Sequence, residues 1–498
     1  MGKPGFPIPL PAGGFGRAAP SQEQPYFYPI GVRRSRADRA RPRRQASHPV
    51  ASGVSRRGSG ADNEVSCQLR QSKIYNLQSK MTSLTPTDGM RITADAVLAP
   101  GVHYLPRGLT IAAPGVTLDG NGAMLVGAGR GRGVTVAGHD GVRIKNLRLL
   151  AYDHGIYAED CAGLTIANCS SRASAEEPAN SVFLDIWRPA AQAYGAGVML
   201  TGVREALISA CDLQHQQNGL LCYGCLRLTV RDTIANHCSG AGFHLYATSD
   251  SLFENNYADF CCRYQPRGPG QGHLGADAAG FLIVHGSCRN RFRRNMARMG
   301  GDGFFLAGLR PDWTPVPCDD NLFEENDGSF SPNIAFEATF SRGNIFRRNR
   351  ADGCNYGFWL GFSRDNLLEQ NHIHHNRQAG VAVENGFGFV TRDNDLAWNT
   401  HGLLLWSRFV AAFALAYPEN DTSRDWLIEA NRFTGNRVAV RIAADQDHGA
   451  RPLPPLTPRC PRPRNHTLRA NIFRDNLLDL ELIDAEEPRL EDNDVQDA

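Results

Sequence analysis

The sequence predicts an all-β fold, a single-stranded right-handed parallel β-helix whose coils of about 22–24 residues stack as a solenoid. Two recurring motifs carry that expectation, together with the absence of any stretch with helical spacing. The first is a glycine followed by alternating apolar residues: GIYA, GVML, GLLC, GFHL, GFLI, GFFL, GFWL, GVAV and GLLL, at Gly155, Gly197, Gly219, Gly242, Gly280, Gly303, Gly357, Gly380 and Gly402. Asn333 in NIAFE and Arg437 in RVAVR are read into the same slot. The second motif ends in asparagine: NRFRRN at Asn295, NLFEEN at Asn326, NIFRRN at Asn349, NLLEQN at Asn371 and FVTRDN at Asn394, followed by LIEAN and LRANIF, which bring Asn431 and Asn471.

Each repeat therefore supplies at least two short strands of period two, separated by a turn at the asparagine. Stacked at about 4.8 Å, equivalent residues form ladders along the solenoid. Asparagines at a repeated bend hydrogen-bond to one another and to exposed backbone, so they are expected to be scaffold. Ahead of Gly155 the run LAPGVHYLPRGLTIAAPGVTLDGNGAMLVG supplies the opening coils, with Val116, Leu118, Val134, Val136, Val142 and Ile144 facing inward.

The β-helix is expected over residues 84–498, because a solenoid packs each repeat only on its neighbours and escapes the usual size limit of one core. Residues 1–83, with PGFPIPLPAGG and VRRSRADRARPRRQ, have few apolar positions and no period, and are expected to be a disordered basic arm, with translation starting at Met81 or Met90. A net charge of +2 on 498 residues gives no reason to expect a nucleic-acid partner. There is no apolar run of signal-peptide or membrane-span length. Thirteen irregularly spaced cysteines suit small buried thiols in a reducing compartment, so the expected location is cytoplasmic, with no membrane partner. Nothing in the sequence sets an oligomeric state.

PGVHYLP, LTIAAPGVTLDGNGA and the repeats N-x-F-x-x-N and G-φ-x-φ together resemble the pectin-lyase-like β-helix superfamily, and within it the NosD-like repeats of carbohydrate-binding proteins and sugar hydrolases. The resemblance covers about residues 90–487. It implies the right-handed parallel β-helix and a carbohydrate substrate. For activity it leaves polysaccharide lyases, glycoside hydrolases, uronate epimerases and non-catalytic accessories open.

Alternate strand residues point to opposite faces. With the glycine as slot 0, slots +1 and +3 are apolar and fill the core, so slots +2 and +4 face outward. The outward column then runs through Tyr157/Glu159, Met199/Thr201, Leu221/Tyr223, His244/Tyr246, Leu282/Val284, Phe305/Ala307, Ala335/Glu337, Trp359/Gly361, Ala382/Glu384 and Leu404/Trp406. It is aromatic and apolar with isolated carboxylates, which is the composition of a face that something covers or binds. Tyr223, His244, Tyr246, Phe305, Trp359 and Trp406 are the expected substrate-binding residues, and insertions near 172–196, 262–279, 309–318 and 408–426 are expected to frame them.

Glu337 and Glu384 read as the same +4 slot two coils apart, roughly 9–10 Å between backbones, with Gly361 between them. Asp302 lies one coil earlier and Asp277 in the insertion before it. These four acids are the expected catalytic residues of a glycoside hydrolase, which needs one carboxyl kept protonated as general acid and a second ionised. A non-catalytic sugar-binding or assembly scaffold is the alternative, and a uronate lyase or epimerase the third reading. No cofactor is expected, Ca²⁺ entering only with the lyase. No metal site is expected either: Cys222 and Cys225 form a lone C-x-x-C, while His372, His374 and His375 in NHIHHN read as a polar turn. The run GAGRGRG lacks the ending of a phosphate loop, and His154 and His401, each just before a slot-0 glycine, read as turn residues.

Overall fold

Short period-2 segments punctuated by glycine and asparagine cannot form long strands, and the chain folds them into coils instead. The computed structural model describes residues 83–178, 184–268, 271–274, 278–444 and 460–496. The expected basic arm, Asp277 and part of the 262–279 insertion lie outside the described residues. Residues Met81–Ala498 form one unit.

Each coil contributes one strand to each of two long parallel sheets. Sheet one has fifteen strands, from Arg91–Ile92 to Leu478–Ile483, and sheet two has fifteen, from Ala96–Val97 to Arg489–Glu491. A third side has four strands from Val102–Tyr104 to Ser170–Arg172 and five from His372–His374 to Asp494–Gln496. Single parallel bridges through Asp212, Ile234, Tyr257, Met296, Asp327 and Arg350 join the two groups. Tyr264–Gly268 and Gln271–Leu274 form an antiparallel hairpin outside this scheme.

Slots +1 and +3 are inside, as the alternation requires. Phe243, Phe281, Phe304, Phe336 and Phe358 stack down sheet one with centroids 4.7–4.9 Å apart. Phe253, Phe292, Phe323 and Phe346 form a second stack from sheet two, edge-on to the first. Such offset and edge-to-face contacts suit the ring quadrupole. Slot 0 favours glycine for close approach: a Cβ on Gly303 would lie 2.6 Å from the Ala335 carbonyl oxygen of the next coil.

The asparagines are the scaffold they read as. From Leu252–Glu254 to Thr467–Arg469, each sheet-two strand is followed by one left-handed residue, such as Arg348 at φ 53°, and then by a buried asparagine, a position that Leu147, Cys169, Cys211 and Thr233 hold in earlier coils. Asn295, Asn326, Asn349, Asn371, Asn394, Asn431 and Asn471 form an unbroken ladder, each backbone N–H donating to the Oδ1 of the next asparagine at 2.9–3.0 Å. Amides freed by the bend are thereby paired without water. Among the described residues no helix is long and apolar enough to cross a membrane. Cys222 and Cys225 are both buried in the core.

Candidate functional site

The outer face of sheet one is built from three columns. Slot −1 runs through Asp302, Ile334, Tyr356, Ala379 and His401, because each pairs with the next in register. Slot +2 runs through His244, Leu282, Phe305, Glu337, Trp359, Ala382 and Leu404. Slot +4 holds Tyr223, Tyr246, Val284, Ala307 and Thr339, and further on Glu384 and Trp406.

This register corrects the sequence reading in two coils. Ala335 and Ala439, not Asn333 and Arg437, fill slot 0, so Glu337 moves from slot +4 to slot +2. Glu337 and Glu384 therefore do not share a column. Two coils and two residues separate them, which puts their backbones about 11–12 Å apart. Thr339, rather than Glu337, stands opposite Glu384 across Gly361. The reason for the error is geometric: a slip of two residues keeps Phe336 inside and Glu337 outside, so their parity does not reveal it, but it exchanges the two residues before them, Ala335 joining the core instead of the outward column and Ile334 the outer face.

Glu337 is half-buried and stands directly between Phe305 and Trp359. Its carboxyl is pushed well above the ordinary carboxylate range, first by desolvation and then by the charge of Asp302. Asp302 is fully buried, and its Oδ1 accepts the backbone N–H of Ile334 at 3.0 Å. Two carboxyls thus share one face, one with its proton affinity raised and the other hydrogen-bonded by a backbone amide. Tyr356, which the sequence reading passed over, packs edge-on to Trp359 at 4.8 Å. Its signal was the position immediately before a slot-0 glycine, shared with Asp302.

Glu384 is placed differently. The guanidinium of Arg408 reaches it from the following insertion, Nε to Oε1 at 2.7 Å, and the pair is largely buried. Asp302 and Glu337 are brought together, whereas Glu384 stands apart with Arg408.

Several expected contact residues lie under other parts of the chain. Tyr223, His244 and Phe305 are 6–7% exposed and Trp406 is fully buried, whereas Tyr246 and Trp359 keep intermediate exposure. Ala190 and Ala193, around a short 3-10 turn, pack on Met199, Leu221 and Tyr223, and Ile186 and Trp187 pack with Leu282 and Phe305. Trp406 lies 5.3 Å from Trp359. Burial without a charged partner lowers His244 to about 3, so its ring is neutral.

The later insertions cover the turn that follows the strands. Phe413 of the short helix Ala411–Ala416 packs edge-on to Phe340, Phe362 and Trp313. The Tyr417 hydroxyl donates to the Gly308 carbonyl at 2.9 Å. Cavities of about 380 Å³ beside Glu419, Arg424 and Arg464, and about 190 Å³ beside Asn385 and Arg408, open here, and neither is lined by Glu337.

The description "right handed beta helix region" belongs to a family model that matches residues 179–331 and 316–412. No curated protein sequence matches the chain. Among solved structures, it is similar to the A-module of mannuronan C-5 epimerase AlgE6 of Azotobacter vinelandii, at 14% identity over 82% of this chain and 91% of that one, with a TM-score of 0.41. It is also similar to the catalytic domain of a GH87 α-1,3-glucanase, at 8% identity over 80% and 64% of the two chains, TM-score 0.37. A third is the DFA-IIIase of Arthrobacter chlorophenolicus A6, at 12% identity over 62% and 69%, TM-score 0.36. Over the matched residues the family description agrees with coil after coil of parallel strands, and the fold of the described residues from 83 onward is a right-handed parallel β-helix.

Proposed function

We propose that the outer face of sheet one hydrolyses a glycosidic bond in a carbohydrate, with Glu337 as general acid and Asp302 as the ionised partner. The observation that carries this reading is the raised carboxyl of Glu337 beside Asp302. Two carboxyls whose surroundings push their proton affinities apart are what acid-assisted glycoside cleavage uses. Glu337 gives its proton to the departing oxygen, the water that adds to the sugar carbon returns one to it, and the buried charge of Asp302 raises the proton affinity of Glu337 and favours positive charge developing beside it. Phe305 and Trp359 flank Glu337 in register; Phe305 lies under Ile186 and Trp187, and the more exposed Trp359 offers the aromatic face on which a sugar ring stacks. Glu384, neutralised by Arg408, serves as a polar contact rather than as the second acid.

Glu337→Gln tests this directly. Oligosaccharide binding, measured by calorimetry against a panel of polysaccharide fragments, stays within a few-fold, while turnover falls by about 100-fold or more. Unchanged turnover in Glu337→Gln ends the hydrolase reading. A second reading, a non-catalytic sugar-binding scaffold, is favoured by the segments packed over Tyr223 and Phe305, and it requires binding with no turnover in the unaltered protein. A uronate lyase would announce itself by an ultraviolet-absorbing unsaturated product and by sensitivity to chelator.

A further inference from the structure

Away from sheet one, the outer surface of the third side gathers a cluster that the proposed hydrolysis does not use. Arg350 bridges His372 and His372 pairs with Asp395, so Asp352, His372, His374 and Asp395 fall on adjacent positions of three successive coils. One ligand atom from each of Asp352, His372 and His374 lies within 4.8 Å of the others. Asp352 and His374 are 5% and 8% exposed, while His372 is half-buried and open to solvent on one side.

We propose that Asp352, His372 and His374, with Asp395 at their edge, bind one transition-metal cation of the Zn²⁺ class. Two imidazoles with carboxylate oxygens are a borderline donor set that suits Zn²⁺, Co²⁺ or Ni²⁺ better than Ca²⁺ or Mg²⁺. The second observation is His374 Nε2, which is buried and meets no hydrogen-bond geometry, although Asp395 Oδ2 is 3.0 Å away. Two donors each about 2.1 Å from a shared ion lie about 3.4 Å apart at the tetrahedral angle and about 3.0 Å apart at a right angle, so this pair is within a few tenths of an ångström of a shared site. The centroids of the two imidazole rings lie only 3.5 Å apart, which brings a nitrogen of each within reach of one ion. The surroundings hold the donors in place. Asp352 Oδ1 lies 3.0 Å from His372 Nδ1 and accepts the His374 backbone N–H at 3.0 Å, while Arg350 Nε donates to Oδ2 at 2.7 Å. Trp398 packs edge-on to His374 and stacks on His375, whose exposed ring is thereby drawn away from the cluster.

The experiment is a titration of the full, chelator-stripped chain with ZnCl₂ by calorimetry, repeated with CoCl₂ while visible absorbance is followed. One equivalent of zinc binds, and the cobalt form shows the ligand-field bands of a histidine-containing site. His374→Ala and the more exposed His372→Gln each weaken zinc binding at least tenfold, whereas His375→Ala leaves it unchanged. If His374→Ala does not fold, His372→Gln decides. Absence of zinc uptake by the unaltered chain, or undiminished uptake in His372→Gln, overturns the proposal. Since the readout is binding on the third side, failure of the hydrolase reading on sheet one leaves the result unaffected.

Discussion

Glu337 and His244 occupy the same outward slot three coils apart, and they couple stability to pH in opposite directions. An unfolded glutamate titrates at about 4.3, and in the folded chain Glu337 holds its proton to a higher pH. Between those two values the folded state binds more protons than the unfolded one, so stability is lost as pH rises through that window. Glu337→Gln removes the loss: its Tm should equal that of the unaltered protein near pH 4 and exceed it at pH 8. His244 and His466 run the other way, their native values of about 3 and about 4 lying below the unfolded value of about 6.5. Their contribution is complete above that unfolded value and disappears as pH falls toward the native ones. A thermal scan series from pH 8 to 4 should therefore show Tm dropping below pH 6.5, less steeply in His244→Phe. A Glu337→Gln variant no more stable at pH 8 than at pH 4, relative to the unaltered chain, would mean that the carboxyl is already ionised and unfit to act as an acid. Stability given up at a working carboxyl is the usual price of such a site.

At the level of the turn between sheets two and three, the asparagine ladder replaces the hydrogen bonds that the bend would leave open. Asn349 Oδ1 accepts from the backbone and side chain of Asn326, and its Nδ2 donates to the Phe323 carbonyl and to Asn371. Asn349→Ala strips these groups of partners inside the protein, at about 1–3 kcal/mol for each buried group left unpaired. A loss of about 3 kcal/mol in urea unfolding is expected. Arg348→Ala, which removes only exposed ion pairs to Glu324 and Glu325, should cost about 1 kcal/mol or less. Equal losses in the two variants would count against the ladder as the stabilising element. These elements were legible in the sequence because stacking puts like residues on like residues, which prints the coil period directly into the chain. The candidate site was legible only in part. Inward and outward faces follow from parity, so Trp359 and Glu337 were correctly assigned to the outside. Column position does not follow from parity, and with alanine in place of the marker glycine the coil at Ala335 slipped by two residues. The phenylalanine of slot +1 was the missing guide: aligning AFE with GFF and GFW places Phe336 between Phe304 and Phe358, where it stacks. The covering segments were beyond reach, since an insertion's length does not say which face it packs against.

Across the whole molecule, the strands of each coil pair only with those of its two neighbours, so the stability of the solenoid is mainly a chain of nearest-neighbour terms, to which the inserted segments add longer contacts such as Tyr417 to Gly308. The position of a lesion along the axis should then matter as much as its size. Phe336 is fully buried between Phe304 and Phe358, in the middle of the solenoid. Phe473 is 4% exposed and stacks on Phe433, one coil from the last described strands. Truncation of either ring to alanine removes a comparable apolar surface, a loss of about 3–5 kcal/mol in a closed core. In Phe336→Ala the loss falls on an interface that couples two long halves, so amide exchange should quicken across strands on both sides, including Asp302–Ala307 and Tyr356–Trp359. In Phe473→Ala it falls near the end of the described coils, which open locally while the coils before them keep their protection. Exchange should there quicken in Ile472–Arg474 and Leu478–Ile483 and remain unchanged in Asp302–Ala307. Equal acceleration at Asp302–Ala307 in both variants would show that the chain unfolds as one cooperative block, and that the ladders transmit strain over many coils instead of confining it to one.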